Sequence, residues 1–367
     1  MNLVHPSPSL SQRRPNRLRN IIERLLISIM PIILFFALLE FIAYRWEQKT
    51  AQGPLGWTLV ASRRMPTVRF GSAERPYNLL TANQTYNWEG IPVHINTQGL
   101  RDDEIATPKP PNTIRILNLG DSVAFGWEVR QEETYGNLLE EALNAQNDGL
   151  HYEVINAGVP GWNLCAETNY LLQEGLAYQP NLILLDITVV NDICSLTVTE
   201  PKATLFTWLR DHTYSWPFLT TEIRFLLARK VGPEAIPVLN PPLQAEAYYP
   251  LSANSELWDK VWQHIVIMQQ AAQQQGIDLI LVVFPTAYQV NSAHHPTIPQ
   301  DILTARAAEA QIPLVDMLPI FKKTCEEAGG DACEGYENLL FADVWMHPNA
   351  LGHQLTAEAL FTQEFTH

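Results

Sequence analysis

The chain has 367 residues, 46% of them hydrophobic, and a formal net charge of −15. At roughly 150 residues per domain this length holds one large domain or two small ones, with ample apolar material for a core. The negative balance argues against nucleic acid as a partner, and it deepens beyond the N-terminus, because Arg13, Arg14, Arg17, Arg19 and Arg24 all precede an apolar segment.

That segment runs from Leu25 to Leu39 and, past Glu40, on to Tyr44. About twenty residues suffice to span a bilayer. With arginines held inside, residues 1–24 are read as a cytoplasmic tail and 25–45 as an uncleaved transmembrane anchor. The remainder is then extracytoplasmic, either periplasmic or extracellular. A cleaved signal peptide is the competing reading; no small-x-small site follows the run, and Phe41, Tyr44 and Trp46 suit an interfacial end. Glu40 lies near the outer end, where its carboxylate reaches the interface. Export permits disulfides, and the four cysteines allow three pairings. Cys325 and Cys333 bracket a short glycine-containing loop and are expected to pair. Cys165 and Cys194 follow turns expected to be neighbours and form the second expected pair, against an alternative of four buried thiols. No cysteine spacing suggests a metal site.

Residues 46–110 read as a linker and small β pre-domain. Ile91–Glu104 alternates around Gly99 as a strand or hairpin would, and Lys109-Pro110-Pro111 is a spacer. From 111 to 367 strands alternate with amphipathic stretches. The expected strands are Ile114–Leu119, Tyr152–Ile155, Leu182–Ile187, Ile277–Phe284 and Pro313–Asp316. The helical stretches are Thr134–Gln146, Ala166–Gly175, Glu256–Gln275, Gln300–Ala310 and Ala350–Phe361. This order predicts a five-stranded parallel sheet covered on both faces. Residues 195–252 interrupt it as an insertion containing Trp208, Tyr214, Trp216 and Phe218. It is expected to pack on the domain, with a lid or membrane-facing surface as the alternative.

Four short motifs fall at turns that a parallel sheet gathers on one edge. They are Gly120-Asp121-Ser122, then Asn156 through Gly161, then Asn191-Asp192, and last Asp343 through Asn349, just before the final helix. Each supplies a group that acyl transfer needs. Ser122 is the candidate nucleophile and His347 the base that activates it. Pro348 keeps His347 extended and suits the first turn of a helix. Ser122 N–H, Gly161 N–H and the Asn191 amide are candidate oxyanion donors, glycine leaving its N–H open to the substrate. Asp343 is the candidate orienter of the imidazole. His353 is the alternative base, placed on the helix side of Gly352, where packing or solvent is the plainer fate. Trp127, Trp162 and Trp345 lie near the motifs and either pack at the rim and core or line a substrate pocket. No P-loop lysine follows Gly120, and no Gly-x-Ser-x-Gly elbow surrounds Ser122.

In these motifs the chain resembles the SGNH, or GDSL-type, hydrolase superfamily over about residues 112–192 and 277–361. Ser122, Gly161, Asn191 and His347 match the four residues that name it. Asn96-Thr97-Gln98-Gly99-Leu100-Arg101 resembles an element that precedes the domain in membrane-anchored bacterial members. The resemblance implies a three-layer α/β/α flavodoxin-like fold and acyl cleavage or transfer without metal or cofactor. Two positions depart from the pattern. Val189 stands where glycine is usual two residues before the asparagine, and Val344 stands where the acid is usual three residues before the histidine. In an extended loop a shift of one residue reverses the side chain, so Asp343 serves only if the loop turns. A serine–histidine dyad is the alternative.

The reading is a membrane-anchored extracytoplasmic serine esterase acting on an ester-bearing small molecule, lipid or polysaccharide. An O-acyltransferase acting on a cell-surface polysaccharide by the same serine chemistry is the first alternative. A non-catalytic carbohydrate-binding or scaffold protein is the second.

Overall fold

The computed structural model describes residues 17–50, 77, 79–88, 91–189, 205–223, 256–291, 297–333, 338–343 and 346–365. Helix α1 (Arg17–Thr50) is continuous. Its segment Leu26–Trp46, with mean hydropathy 2.5, is long and apolar enough to cross a membrane. After it, β1 (Gln84–Trp88) and β2 (Ile91–Ile95) pair antiparallel, Gln84 opposite Ile95. Val93 and Ile95 turn into the core while Pro92 and His94 turn out, the two-residue period that the alternation predicts.

The main sheet contains β3 (Thr113–Gly120), β4 (His151–Gly158), β5 (Leu182–Thr188), β6 (Asp278–Phe284) and β7 (Leu314–Asp316), in spatial order β4-β3-β5-β6-β7. All four pairings are parallel. Every residue of β5 is buried, as a strand covered on both faces must be. Each predicted strand is present to within a few residues.

Further helices among the described residues include α2 (Ser122–Phe125), α3 (Tyr135–Asn144), α4 (Leu164–Gln173), α5 (Leu205–His212), α6 (Glu256–Gln273), α7 (Ala287–Asn291), α8 (Ile298–Ala310), α9 (Met317–Ala328) and α10 (Ala350–Glu364), with short helical turns over Ser215–Pro217 and Phe218–Glu222. Alternate strand residues feed two cores. Leu117, Leu119, Ile183, Leu185, Leu281 and Val283 meet α4, α6, α8 and the hairpin on one face. Ile116, Leu184, Val282 and Phe284 meet α3, α9 and α10 on the other. Full burial of such a side chain contributes about 1.5–3 kcal/mol, so the two layers hold the sheet flat against its helices.

Helix α9 was not among the expected elements. Asp316 ends β7 and, through its side chain, also accepts the Leu318 N–H at 2.9 Å to cap α9, leaving no loop residues to mark the change. The Cys325–Cys333 disulfide forms as expected, its Cα atoms 5.8 Å apart. The expected Cys165–Cys194 pair lies outside the described residues, because Cys194 does.

The described part of the insertion, residues 205–223, is largely helical, and it makes hydrogen bonds and ring contacts with α1. Glu40 accepts the Tyr214 N–H at 2.5 Å and the Ser215 N–H at 2.9 Å. Tyr44 meets Tyr214 at 5.1 Å and Trp46 meets Phe218 at 5.9 Å, ring centroid to centroid. Glu40 therefore does more than reach toward an interface: its carboxylate satisfies two N–H groups at the start of a helical turn, donors that the turn itself leaves unpaired.

Candidate active site

The sheet order reverses at β3, whose neighbours are β4 on one side and β5 on the other. Open α/β sheets bind ligands in the crevice at such a switch point, beyond the carboxyl ends of the strands. Ser122 lies there, two residues past the end of β3. A Cβ on Gly120 would meet Asp186 Cβ at 2.5 Å, and one on Gly158 would meet the Phe125 backbone nitrogen. Both glycines are thus required by close approach, and they let the ends of β3 and β4 close around α2. Asp121 caps that helix by accepting the Val123 N–H at 2.7 Å. Ser122, its first residue, presents an N–H that no helical carbonyl takes.

Ser122 Oγ lies 2.8 Å from His347 Nε2, and His347 Nδ1 lies 2.5 Å from Asp343 Oδ2. With Nδ1–H donating to the carboxylate, Nε2 is left to accept the serine proton. The four-residue spacing works because the loop is closed on itself. Phe341 bridges Pro348, the Ala342 N–H donates to the His347 carbonyl at 2.9 Å, and the Asn349 N–H donates to the Leu340 carbonyl at 2.9 Å. Asp343 Oδ1 accepts the Met346 and His347 N–H groups at 3.0 and 3.2 Å, so the carboxylate turns inward and its second oxygen faces the ring. Asn349 caps α10 by accepting the Leu351 and Gly352 N–H groups at 3.0 and 3.1 Å, which fixes the loop to a helix.

Trp127 stacks on the His347 ring at 5.5 Å and 23°. The chain on either side of Trp127 is held by Arg101, which the sequence offers only as part of a family motif. Asn96 Oδ1 accepts the Gln98 and Leu100 N–H groups at 3.0 and 2.9 Å, forming a tight turn that sends Arg101 inward. Arg101 is 1% exposed; Nη1 donates to the Phe125 and Gly126 carbonyls at 3.0 and 2.5 Å, and Nη2 to the Val129 carbonyl at 2.7 Å. The guanidinium therefore closes the carbonyl end of the helix that carries Ser122.

Gly161 sits exposed on the turn after β4 with φ +82°, and a Cβ there would meet nothing within 4 Å. The same turn is tied to β3 by the Val159 N–H, which donates to the Gly120 carbonyl at 3.1 Å. Asn191 and Trp345 lie outside the described residues. Val189 is buried and extends the sheet, its N–H donating to the Phe284 carbonyl at 3.3 Å. Trp162 packs in the core against Tyr77 and Tyr170. His353 also packs, stacked on Tyr135, its Nδ1 accepting the Tyr135 N–H at 3.2 Å. Burial and the charges of Arg101 and His347 push its pKa down to about 3.

Burial pulls the His347 pKa down, but the charge and hydrogen bond of Asp343 more than reverse this, leaving it above the ordinary histidine value. Behind Ser122 lie two further acids that the sequence reading passed over. Burial first, then the charge of Asp121, raises Glu167 well above the usual carboxylate range, and neither of its oxygens has a hydrogen-bond partner among the described residues. Asp186 is raised likewise by burial and by the charges of Asp121 and Glu167, and accepts from the Tyr135 hydroxyl at 3.2 Å. The signals were present: Glu167 falls on the same helical stripe as Leu164 and Leu171, and Asp186 stands inside an apolar strand. A cavity of about 510 Å³ opens at the opposite end of the strands, lined by Ile114, Leu182 and Pro313, remote from these groups.

A 2-1-3-4-5 parallel sheet with this Gly-Asp-Ser turn at its switch point is the architecture of an SGNH-type hydrolase. The chain belongs to the GDSL-like lipase/acylhydrolase family, whose pattern matches residues 119–355, and so to the enzymes that cut ester bonds. Among curated proteins no match is found. Similar solved structures include the acetyl xylan esterase AlAXEase, at 16% identity and TM-score 0.45, covering 69% of this chain and 100% of its own. A catalytic mutant of Axe2, an acetylxylan esterase from Geobacillus stearothermophilus, matches at 14% identity and TM-score 0.42, over 69% of this chain and 95% of its own. A member of the lipolytic G-D-S-L family from Veillonella parvula DSM 2008 matches at 13% and 0.40, over 69% and 100%. These are likenesses of fold; the family rests on the sequence match.

Proposed function

We propose that Ser122 is the nucleophile of an acyl-ester hydrolysis, His347 its general base and Asp343 the group that orients and charges the imidazole. The observation that carries this is the continuous hydrogen-bonded line Asp343–His347–Ser122. Ser122 Oγ attacks the ester carbonyl carbon as its proton passes to Nε2. The tetrahedral oxyanion is met by the Ser122 and Gly161 N–H groups and the Asn191 side-chain amide. Collapse expels the alcohol with the proton from His347, and water activated by the same imidazole then releases the acid from Ser122.

We read α1 as a membrane anchor, with the arginine-rich tail 1–24 cytoplasmic, the pre-domain 46–110 and catalytic domain 111–367 outside. About 31 Å of apolar helix and the charge asymmetry support this. The test of the serine mechanism is hydrolysis of an activated acetyl ester by the full chain and by Ser122→Ala. The variant is expected to lose about a thousandfold or more in kcat. Unchanged hydrolysis would overturn the mechanism. Adding an acetylatable polysaccharide separates hydrolysis from transfer: faster acylation of the sugar than release of acetate makes the enzyme an acyltransferase.

A further inference from the structure

We infer that residues 205–223 form a second membrane contact, an interfacial helical segment bedded in the bilayer beside the C-terminal end of α1. The inference rests on the reading of α1 as a membrane anchor.

Partial burial on the apolar stretch of α1 is confined to one stripe. Leu39, Glu40, Ala43 and Trp46 are covered to some degree, while the neighbouring positions Leu38, Phe41, Ile42 and Tyr44 stay exposed. These spacings place the covered residues on one helical face, and Ala43, 2% exposed, is small enough for another backbone to approach. Residues 213–218 occupy that stripe through the Glu40 hydrogen bonds and the Trp46–Phe218 ring pair, while Tyr214 meets Tyr44 at its flank.

Depth follows from geometry. Glu40 precedes Trp46, the end of the span, by six residues, about 9 Å along a helix at 1.5 Å per residue. A carboxylate at that depth is costly unless it is hydrogen-bonded, and the two N–H groups from Tyr214 and Ser215 supply the bonds. Those donors must lie at the depth of their acceptor, so the segment carrying them enters the interface. Its composition agrees: Leu205, Trp208 and Leu219 are 67%, 53% and 44% exposed, and Tyr214, Trp216 and Phe218 add the aromatic groups favoured at headgroup level. By sequence the segment has one arginine, Arg210, and two acids, Asp211 and Glu222, so no positive excess directs it to anionic lipid. The partner is the apolar interface of a bilayer, whatever its headgroup charge.

The test uses the full chain in phosphatidylcholine vesicles, with a nitroxide placed at Leu205→Cys, Trp208→Cys or Leu219→Cys. The described native cysteines are disulfide-bonded and do not compete for the label. Leu34→Cys in α1 and Leu150→Cys on an exposed loop serve as references. Collision with oxygen is expected to exceed collision with an aqueous nickel chelate at the three insertion sites, as at Leu34, and the reverse at Leu150. Added anionic lipid or salt is expected to leave the ratios unchanged, and Glu40→Ala to raise nickel access at Trp208→Cys. Nickel access at the three sites equal to that at Leu150, with Leu34 still in lipid, overturns the inference alone. Nickel access at Leu34 as well overturns the anchor reading and the inference with it. Low access to both reagents means that protein, such as a second copy, covers the segment, which also overturns the inference.

Discussion

At His347 two opposing influences meet: burial disfavours the imidazolium, and Asp343 favours it by charge and by a 2.5 Å hydrogen bond. Asp343 wins. A general base must be neutral to accept a proton, so activity is expected to rise with pH through the His347 pKa, with its midpoint above 6.5. Asp343→Asn removes the two largest raising influences and leaves the burial, opposed only by the smaller charge effects of Glu128 and Asp121. Its acid limb is expected to move to lower pH while kcat falls about 10³–10⁴-fold through loss of the correct tautomer. A pH profile of ester hydrolysis for the two proteins checks this, and an unshifted limb would detach Asp343 from the base. The residue types here were legible from the sequence, but the direction of the Asp343 side chain was not. A one-residue change in spacing reverses a side chain in an extended loop, and only the Ala342–His347 and Asn349–Leu340 hydrogen bonds show that this loop turns.

Two short elements carry the site, and each is fixed by something distant. Helix α2 is only four residues long and cannot persist alone. Arg101, more than twenty residues earlier, accounts for it by binding the Phe125 and Gly126 carbonyls at its end and the Val129 carbonyl just beyond. Arg101→Ala would strip the guanidinium donor from all three carbonyls, the Gly126 carbonyl keeping the Val129 N–H at 3.3 Å, with an expected loss of about 3 kcal/mol in denaturant unfolding. Arg101→Lys is expected to recover only part of it, because an ammonium lacks the planar fork. The turn at Gly161 behaves differently. Gly161→Ala meets open space, so its stability cost is about 1 kcal/mol for the positive φ alone. The methyl group would intrude beside the proposed oxyanion N–H, and kcat/KM is expected to fall far more than that stability change implies. Equal kcat/KM in the two proteins would remove Gly161 from the oxyanion site.

For the molecule as a whole, the acids behind Ser122 couple folding to pH. Glu167 and Asp186 hold their protons in the folded chain well above the pH, near 4, at which an unfolded carboxyl releases them. Above that pH the folded state binds more protons than the unfolded state, so stability falls as pH rises. The slope is about 1.4 kcal/mol per pH unit for each group until the folded group itself ionises. Glu167→Gln keeps the shape and removes one such group. Urea unfolding of the full chain in detergent between pH 5 and 8 is expected to show a shallower fall for the variant, by one group's slope. Parallel curves would mean that Glu167 is already ionised in the folded protein.

The sequence by itself determined the strands, their parallel arrangement and the edge that carries the turns of Ser122 and Gly161. Hydrophobic period, glycine turns and helix caps are local properties, and a parallel sheet puts all its carboxyl ends on one side. Only the tertiary structure decided which distant groups meet. It set Arg101 under α2, brought His347 onto Ser122, buried Glu167 and seated residues 213–218 on α1. Such contacts join residues tens to hundreds of positions apart. Their distances follow from strand order and loop closure, which no local pattern of residues encodes.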